Sequence, residues 1–73
     1  MKQSKVASEI TGKVWKIVAA PGTQLAEDEP ILILESMKME IPVSAPLDCK
    51  VVEILVAEGD TVSEGQAVAV IEG

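Results

Sequence analysis

Lys38 is the residue best suited to chemistry, because it offers a primary amine near the middle of a 73-residue chain. It lies between two methionines in the segment Glu35-Ser36-Met37-Lys38-Met39-Glu40. A lysine amine can be joined to an activated carboxyl group, which would make Lys38 an attachment point for another molecule. An exposed lysine is usually only solvated, so the surroundings of Lys38 decide between the two interpretations.

Few other residues could support catalysis. The chain has no histidine and one cysteine, Cys49. This excludes a Cys-His or Ser-His nucleophile pair, an ordinary zinc site and an intrachain disulfide. Paired carboxylates could still act as acid and base, but most fall in turn-like stretches, where we expect solvated charges. These are Glu27, Asp28, Glu29, Glu58, Asp60 and Glu64. The composition therefore favours a protein that is not an enzyme.

The chain repeats one pattern twice, with an offset of 37 positions. Lys13, Val14, Ile17, Ala20, Gly22, Glu27 and Glu35 recur as Lys50, Val51, Ile54, Ala57, Gly59, Glu64 and Glu72. Two copies are too few for a solenoid. They suit a closed unit with internal pseudo-two-fold symmetry, in which neither half buries its apolar face alone. Lys38 lies between the two copies.

Each copy contains the same short strands, which alternate or are apolar and are separated by glycine and acidic turns. The expected strands are 6–10, 12–19, a short one near Leu25, 31–35, 41–45, 49–57, a short one near Val62, and 67–72. In the long strands, alternation predicts that Lys16 and Glu53 point outward and that Trp15 and Val52 point inward. Pro42 has no N–H to donate, so its strand should lie at a sheet edge.

These elements predict an all-β fold. Ten Val and seven Ile dominate the apolar residues, and β-branched side chains fit a pleated, half-buried surface. We expect a flattened β-barrel or sandwich of two four-stranded antiparallel sheets with internal pseudo-two-fold symmetry, a barrel-sandwich hybrid. Residues 1–73 should form a single domain, with both termini at the end opposite Lys38. A monomer is expected, because the symmetric pairing is satisfied within one chain.

The charge of the chain bounds its partners. The net charge is −6, and an acidic surface repels phosphate backbones and anionic lipids, so we expect neither nucleic acid nor membrane as a partner. The first residues lead into no apolar segment of a signal peptide, and the apolar runs are too short to span a bilayer. A cytoplasmic protein is expected.

The predicted strands leave only four residues, 36–39, to turn the chain at Lys38. This places Lys38 at or beside a hairpin tip, close to the pseudo-two-fold axis. Polar turn formers are expected there, but Met37 and Met39 flank the lysine instead. Methionine often fills gaps in small cores, but two of them beside an exposed lysine favour recognition of the tip by another protein.

The motif Glu-Ser-Met-Lys-Met between duplicated strands resembles the biotinyl/lipoyl attachment family, specifically its biotin carboxyl carrier domains. The resemblance covers residues 6–72, and Met-Lys-Met at the midpoint of a duplication is far more specific than the tripeptide alone. The family often has alanine at the position of Ser36 and glycine at that of Cys49. Serine at position 36 also occurs in lipoylated relatives.

The resemblance implies that Lys38 carries covalent biotin, with Met37 and Met39 as flanking recognition residues. Glu35, Ser36 and Glu40 then frame the hairpin. It also implies three partners: a biotin protein ligase, a biotin carboxylase and a carboxyltransferase. The implied role is a carboxyl shuttle in an acyl-CoA carboxylase, for example the acetyl-CoA carboxylase of fatty acid biosynthesis.

Two alternatives remain open from the sequence. One is a lipoyl carrier, or a domain that accepts either biotin or lipoate, because serine at position 36 also occurs in lipoylated relatives. The other is an unmodified interaction module that uses the methionine-rich tip for docking. The substrate that would be carboxylated is not encoded in this chain.

Overall fold

A computed structural model describes residues 2–73 of the chain; Met1, which the predicted domain includes, lies outside the described residues. The fold is all-β, as predicted, with two four-stranded antiparallel sheets. The strands are β1 (Gln3–Ala7), β2 (Gly12–Ile17), β3 (Gln24–Leu25), β4 (Pro30–Ser36), β5 (Met39–Ser44), β6 (Cys49–Ile54), β7 (Thr61–Val62) and β8 (Ala67–Glu72). No helix long and apolar enough to cross a membrane occurs within residues 2–73.

The two sheets repeat one topology. Sheet A has the strand order β1-β8-β6-β3, and sheet B has the order β5-β4-β2-β7. The 37-residue offset converts each strand of one sheet into the corresponding strand of the other. Each sheet takes two strands from each half of the duplication, so neither half can form a sheet alone. Pro42 lies in β5, at the edge of sheet B, as its missing N–H predicted.

The symmetry extends to individual hydrogen bonds. Gly22 N–H donates to Val51 O at 2.7 Å, and its counterpart Gly59 N–H donates to Val14 O at 2.8 Å. Both glycines have positive φ, 93° and 94°, a conformation that glycine adopts without steric cost. The tight turns therefore tie the two sheets together at equivalent places.

The core lies between the sheets and is aliphatic. Its fully buried members come from both halves: Val14, Ile31, Leu32, Leu34, Val51, Val62, Val68, Ala69 and Ile71. Burial of such side chains contributes about 1.5–3 kcal/mol each before the entropy of ordering is subtracted. Ser8 is the buried polar residue of the described chain, and its hydroxyl bonds to the carbonyl of Ile10.

The alternation predicted for the long strands is wrong at Trp15 and Val52. Both side chains are exposed, by 49% and 37%. A β-bulge lies at each position, between Val14 and Lys16 in β2 and at the equivalent place in β6. A bulge inserts an extra residue and so shifts the in-out pattern. The inward positions are consequently one residue earlier.

Several turn carboxylates, which are exposed as predicted, also accept backbone hydrogen bonds. Glu29 accepts a hydrogen bond from Ala26 N–H at 2.8 Å, and Asp60 accepts one from Ala57 N–H at 2.9 Å. Glu58 accepts a third, from Ile17 N–H at 3.1 Å. These oxygens satisfy turn N–H groups that no strand partner reaches.

The chain termini lie together at one end of the molecule. Lys2 N–H donates to Gly73 O at 3.3 Å, and Gly73 N–H donates to Lys2 O at 3.1 Å. An ideal Cβ on Gly73 would contact Leu47, Asp48 and Cys49, which follow the Ser44 end of β5. The Lys38 turn joins the opposite ends of β4 and β5, as predicted.

Candidate cofactor-attachment site

The hairpin of β4 and β5 presents Lys38 at its tip. Ser36 pairs with Met39, so Met37 and Lys38 alone make the turn. Their φ angles are positive, 52° and 66°. Two consecutive left-handed residues define the tight hairpin turn that Asn-Gly sequences favour. Long side chains adopt this conformation at a cost of roughly 1–3 kcal/mol each, and such strain clusters at functional sites.

The side chains of Met37, Lys38 and Met39, which would react or be recognised, are all exposed to solvent. Met37 is 92% exposed and Met39 is 62% exposed, and Lys38 between them is also exposed. Unbranched thioether side chains adapt to different partner surfaces. The strained turn and the exposed apolar flanks both depart from what an ordinary solvated turn needs.

Paired carboxylates stand at the base of the turn. Glu35 in β4 lies directly opposite Glu40 in β5, and on its other side it faces Lys13 in β2. Like charges in direct opposition disfavour a strand pair, whereas Lys13 offsets part of that repulsion. The structure therefore brings Glu35, Ser36, Met37, Lys38, Met39 and Glu40 together at one end of sheet B, in the arrangement that the sequence predicted.

Gly12 is part of this site, although sequence reasoning did not assign it a role. A Cβ placed on Gly12 would lie 2.9 Å from the carbonyl oxygen of Glu35 and 3.5 Å from Cβ of Ser36. Cys49 occupies the equivalent position in the second half, but there the opposing residue is Gly73, at 3.4 Å. The sequence does contain a signal of this contact. Gly12 faces Ser36 in one half and Cys49 faces Gly73 in the other, so one residue of each pair is glycine.

Substituting Gly12 with alanine should destabilise the protein by about 1–2 kcal/mol, because the new methyl group overpacks against backbone at the base of the Lys38 hairpin. Chemical denaturation followed by circular dichroism measures this loss. Gly73→Ala is the matched control: its Cβ would lie 2.9 Å from Asp48 O, but Gly73 lies beyond the end of β8, so its backbone can shift more easily. Equal stability of Gly12→Ala and the wild type would contradict the prediction.

Cys49 lies at the other end of the molecule and is 2% exposed. Burial, assisted by the negative charge of Asp48, raises the pKa of the Cys49 thiol. The thiol therefore stays protonated and poorly nucleophilic at neutral pH. Within residues 2–73 no group of three His, Cys, Asp or Glu side chains could hold a metal ion. Cys49 is a packing residue.

The fold and the exposed lysine hairpin define a small covalent-attachment domain, and comparison with known proteins gives its family. The family described as "Biotin-requiring enzyme" matches residues 1–71. The chain is 42% identical over 60 residues to the biotin/lipoyl attachment protein of Bacillus subtilis, covering 82% of both chains. This protein belongs to the biotin/lipoyl attachment family, whose small domains are carriers rather than catalysts.

Larger proteins contain similar domains. The chain is 42% identical over 67 residues to urea amidolyase of Saccharomyces cerevisiae, covering 92% of this chain but 4% of that protein. The Kluyveromyces lactis urea carboxylase structure matches with a TM-score of 0.91 at 41% identity, covering 97% of this chain and 6% of that one. The chain thus corresponds to a small part of these enzymes.

A lipoyl domain shares the fold at greater distance. The lipoyl domain of the 2-oxoglutarate dehydrogenase complex from Azotobacter vinelandii matches with a TM-score of 0.75 at 28% identity, covering 100% of this chain and 98% of that domain. The evidence that relates this chain to lipoate is therefore its similarity in fold to a lipoyl domain.

The residues at the tip fit a tethered cofactor. Lys38 supplies an amine at the end of a flexible four-carbon stem, and the left-handed turn keeps the backbone beneath it in one conformation. The neighbouring Met37 is the most exposed apolar side chain of the described residues. Such a site holds a group by one covalent bond and leaves its far end free.

Proposed function

We propose that this chain is a biotin carboxyl carrier domain with biotin attached to Lys38. The observation that best supports this proposal is the strained, two-residue turn that projects Lys38 between the exposed Met37 and Met39. A turn made only for stability would use residues that adopt positive φ easily. The presence of Met37 and Lys38 there, in a family described as biotin-requiring, supports a role of the turn in attachment and recognition.

Attachment requires an enzyme, because a free carboxylate does not acylate an amine until its oxygen has been converted into a leaving group. A biotin protein ligase would supply biotinyl-adenylate and accept the proton that Lys38 Nζ loses. The amide C–N bond then forms as the acyl–phosphate C–O bond breaks, and AMP leaves. This chain contributes only the nucleophile and a surface that positions it.

Bound biotin supplies a ureido nitrogen that accepts a carboxyl group and later releases it. The carrier would move between a biotin carboxylase and a carboxyltransferase, which its tether keeps at high effective concentration. An acyl-CoA carboxylase of the acetyl-CoA type, in cytoplasmic fatty acid biosynthesis, is the context we propose. The carboxyltransferase selects the acceptor, so urea, keto-acid and acyl-CoA carboxylation would all use the same hairpin.

Lipoate is the second candidate group, favoured by the fold that this chain shares with a lipoyl domain. Ser36 is compatible with it, and the same amine would form the amide bond. Met37 and Met39 favour biotin, because the resemblance assigns Met-Lys-Met to biotinyl domains and Asp-Lys-Ala to lipoyl domains. Met39→Ala should therefore reduce any reaction with a lipoate ligase less than the reaction with a biotin ligase.

Intact-protein mass spectrometry tests the assignment. The purified chain is incubated with a biotin protein ligase, biotin and MgATP, and in parallel with a lipoate ligase and lipoate. We expect one biotinyl adduct, mapped to Lys38 by peptide analysis and absent from Lys38→Arg. A lipoyl adduct alone would assign the chain to lipoate, and no adduct from either ligase would refute the proposal.

A further inference from the structure

The two halves of the fold serve as controls for one another, because equivalent positions have the same backbone surroundings. Exposed apolar residues that occur in both halves, such as Val18 and its counterpart Leu55, need no explanation beyond the fold. Three exposed apolar side chains of sheet B have no apolar counterpart in sheet A or are much larger than that counterpart. Met39, Pro42 and Trp15 stand where the other half has Lys2, Lys5 and Val52.

Two of these residues, Pro42 and Trp15, lie on the outer face of sheet B, in the strands on either side of β4. Pro42 in β5 pairs with Ile33 in β4, which pairs with Lys16 in β2, and the bulge places Trp15 beside that row. Trp15 is 49% exposed, Pro42 is exposed and Ile33 is half-buried. We call Trp15, Ile33 and Pro42 the indole patch. The corresponding place in sheet A combines Val52 and Val70 with Lys5, so the fold itself does not require an aromatic surface.

The indole patch is continuous with the Lys38 hairpin. Lys38 lies four residues from Pro42 and five residues from Ile33 along the chain, which is about 13–17 Å at the rise of a β-strand. A standard protein interface covers roughly 800 Å² per partner, a footprint that reaches about 16 Å from its centre. One partner can therefore cover both the indole patch and the tip.

Charge limits the partner further. Glu35 and Glu40 lie between the indole patch and the tip, both exposed and directly opposite one another. Lys13 beside Glu35 and Lys16 beside Ile33 add positive charge to the same face. A partner that covers this surface must therefore bring basic groups to the two carboxylates and an acidic or polar group to Lys16, since like charges across an interface oppose binding. The fitting partner offers an apolar cleft for an indole ring beside a basic border.

We propose that the indole patch is the docking surface for the enzyme that acylates Lys38. This rests on the proposed function. An enzyme that acylates the bare amine must place Lys38 Nζ itself, and the short lysine stem forces that enzyme against the domain body. Enzymes that act on the far end of an attached group stand further away. Tryptophan is enriched among residues that dominate binding energy, which suits Trp15 as the anchor.

Steady-state kinetics with a biotin protein ligase test the docking surface. Trp15→Val and Pro42→Lys each install the residue found at the equivalent place of sheet A. We expect each to lower kcat/KM for Lys38 biotinylation, by roughly ten-fold for Trp15→Val, mainly through a raised KM. Val52→Ala is the matched control, in the equivalent bulge on the opposite sheet, and should change kcat/KM by less than about two-fold.

The outcomes separate this inference from the proposed function. A wild-type chain that accepts no biotin refutes the function. A biotinylated wild type with unchanged kcat/KM in both Trp15→Val and Pro42→Lys refutes the docking surface alone. An equal fall in Val52→Ala also refutes it, because the effect would then be unspecific. Denaturation curves for each variant confirm that the folded protein is assayed.

Discussion

Replacing Met37 with Asn and Lys38 with Gly is expected to stabilise the protein by about 1–3 kcal/mol while abolishing attachment. Both positions have positive φ, which Asn-Gly adopts readily and which long side chains adopt only at a cost. The chain would gain the turn its backbone prefers and lose the only amine at the tip. Stability and function would thus move in opposite directions through the same two residues.

Chemical denaturation and mass spectrometry after ligase treatment measure the two effects. Asp28→Gly is the matched control, since Asp28 also has positive φ, 74°, in a turn remote from the site. That variant should gain a smaller increment of stability and keep full attachment. A double variant at Met37 and Lys38 that is no more stable than the wild type would show that the turn is not strained.

Truncation of Leu34 to alanine should destabilise the domain by about 2–5 kcal/mol, enough to leave much of it unfolded at room temperature. Leu34 is fully buried in the strand that leads into the Lys38 hairpin. Removing a core leucine loses transfer free energy and leaves a cavity. A single core in a chain of this size supplies only about 3–5 kcal/mol of net stability.

Ile33→Ala provides the comparison on the same strand. Ile33 is half-buried and belongs to the outer face of sheet B, so its truncation should cost roughly 1 kcal/mol or less. Circular dichroism during urea titration distinguishes the two variants. Equal destabilisation would mean that the core does not extend to the base of the hairpin as the burial of Leu34 indicates.

Most of the fold could be predicted from the internal duplication of the sequence. Because matching residues recur at one offset, the strands of the first half predicted those of the second, and their joint burial required shared sheets. The position of Lys38 followed from how few residues remain between β4 and β5. Composition limited the chemistry, since no histidine is present and the one cysteine packs in the core.

The hydrophobic pattern of the sequence does not predict two features, the exposure of Trp15 and the close approach of strands at Gly12. Strict alternation predicts an inward Trp15 because it ignores bulges, and a bulge depends on the partner strand as well as on local sequence. A Cβ at Gly12 would crowd the carbonyl oxygen of Glu35, a residue distant in sequence. Such close approach appears only when β2 and β4 are paired, so propensity alone does not reveal it.

The paired termini make the backbone almost a ring. Lys2 and Gly73 exchange hydrogen bonds at the place that corresponds to Ser36 and Met39, so two strand pairs with the same geometry lie at opposite poles. At one pole the Met37-Lys38 turn joins the two strands covalently and offers an amine; at the other pole the equivalent strands are joined by hydrogen bonds. Two symmetric sheets therefore give a molecule with two unlike ends, because the symmetry is broken in how the strand pair at each end is linked.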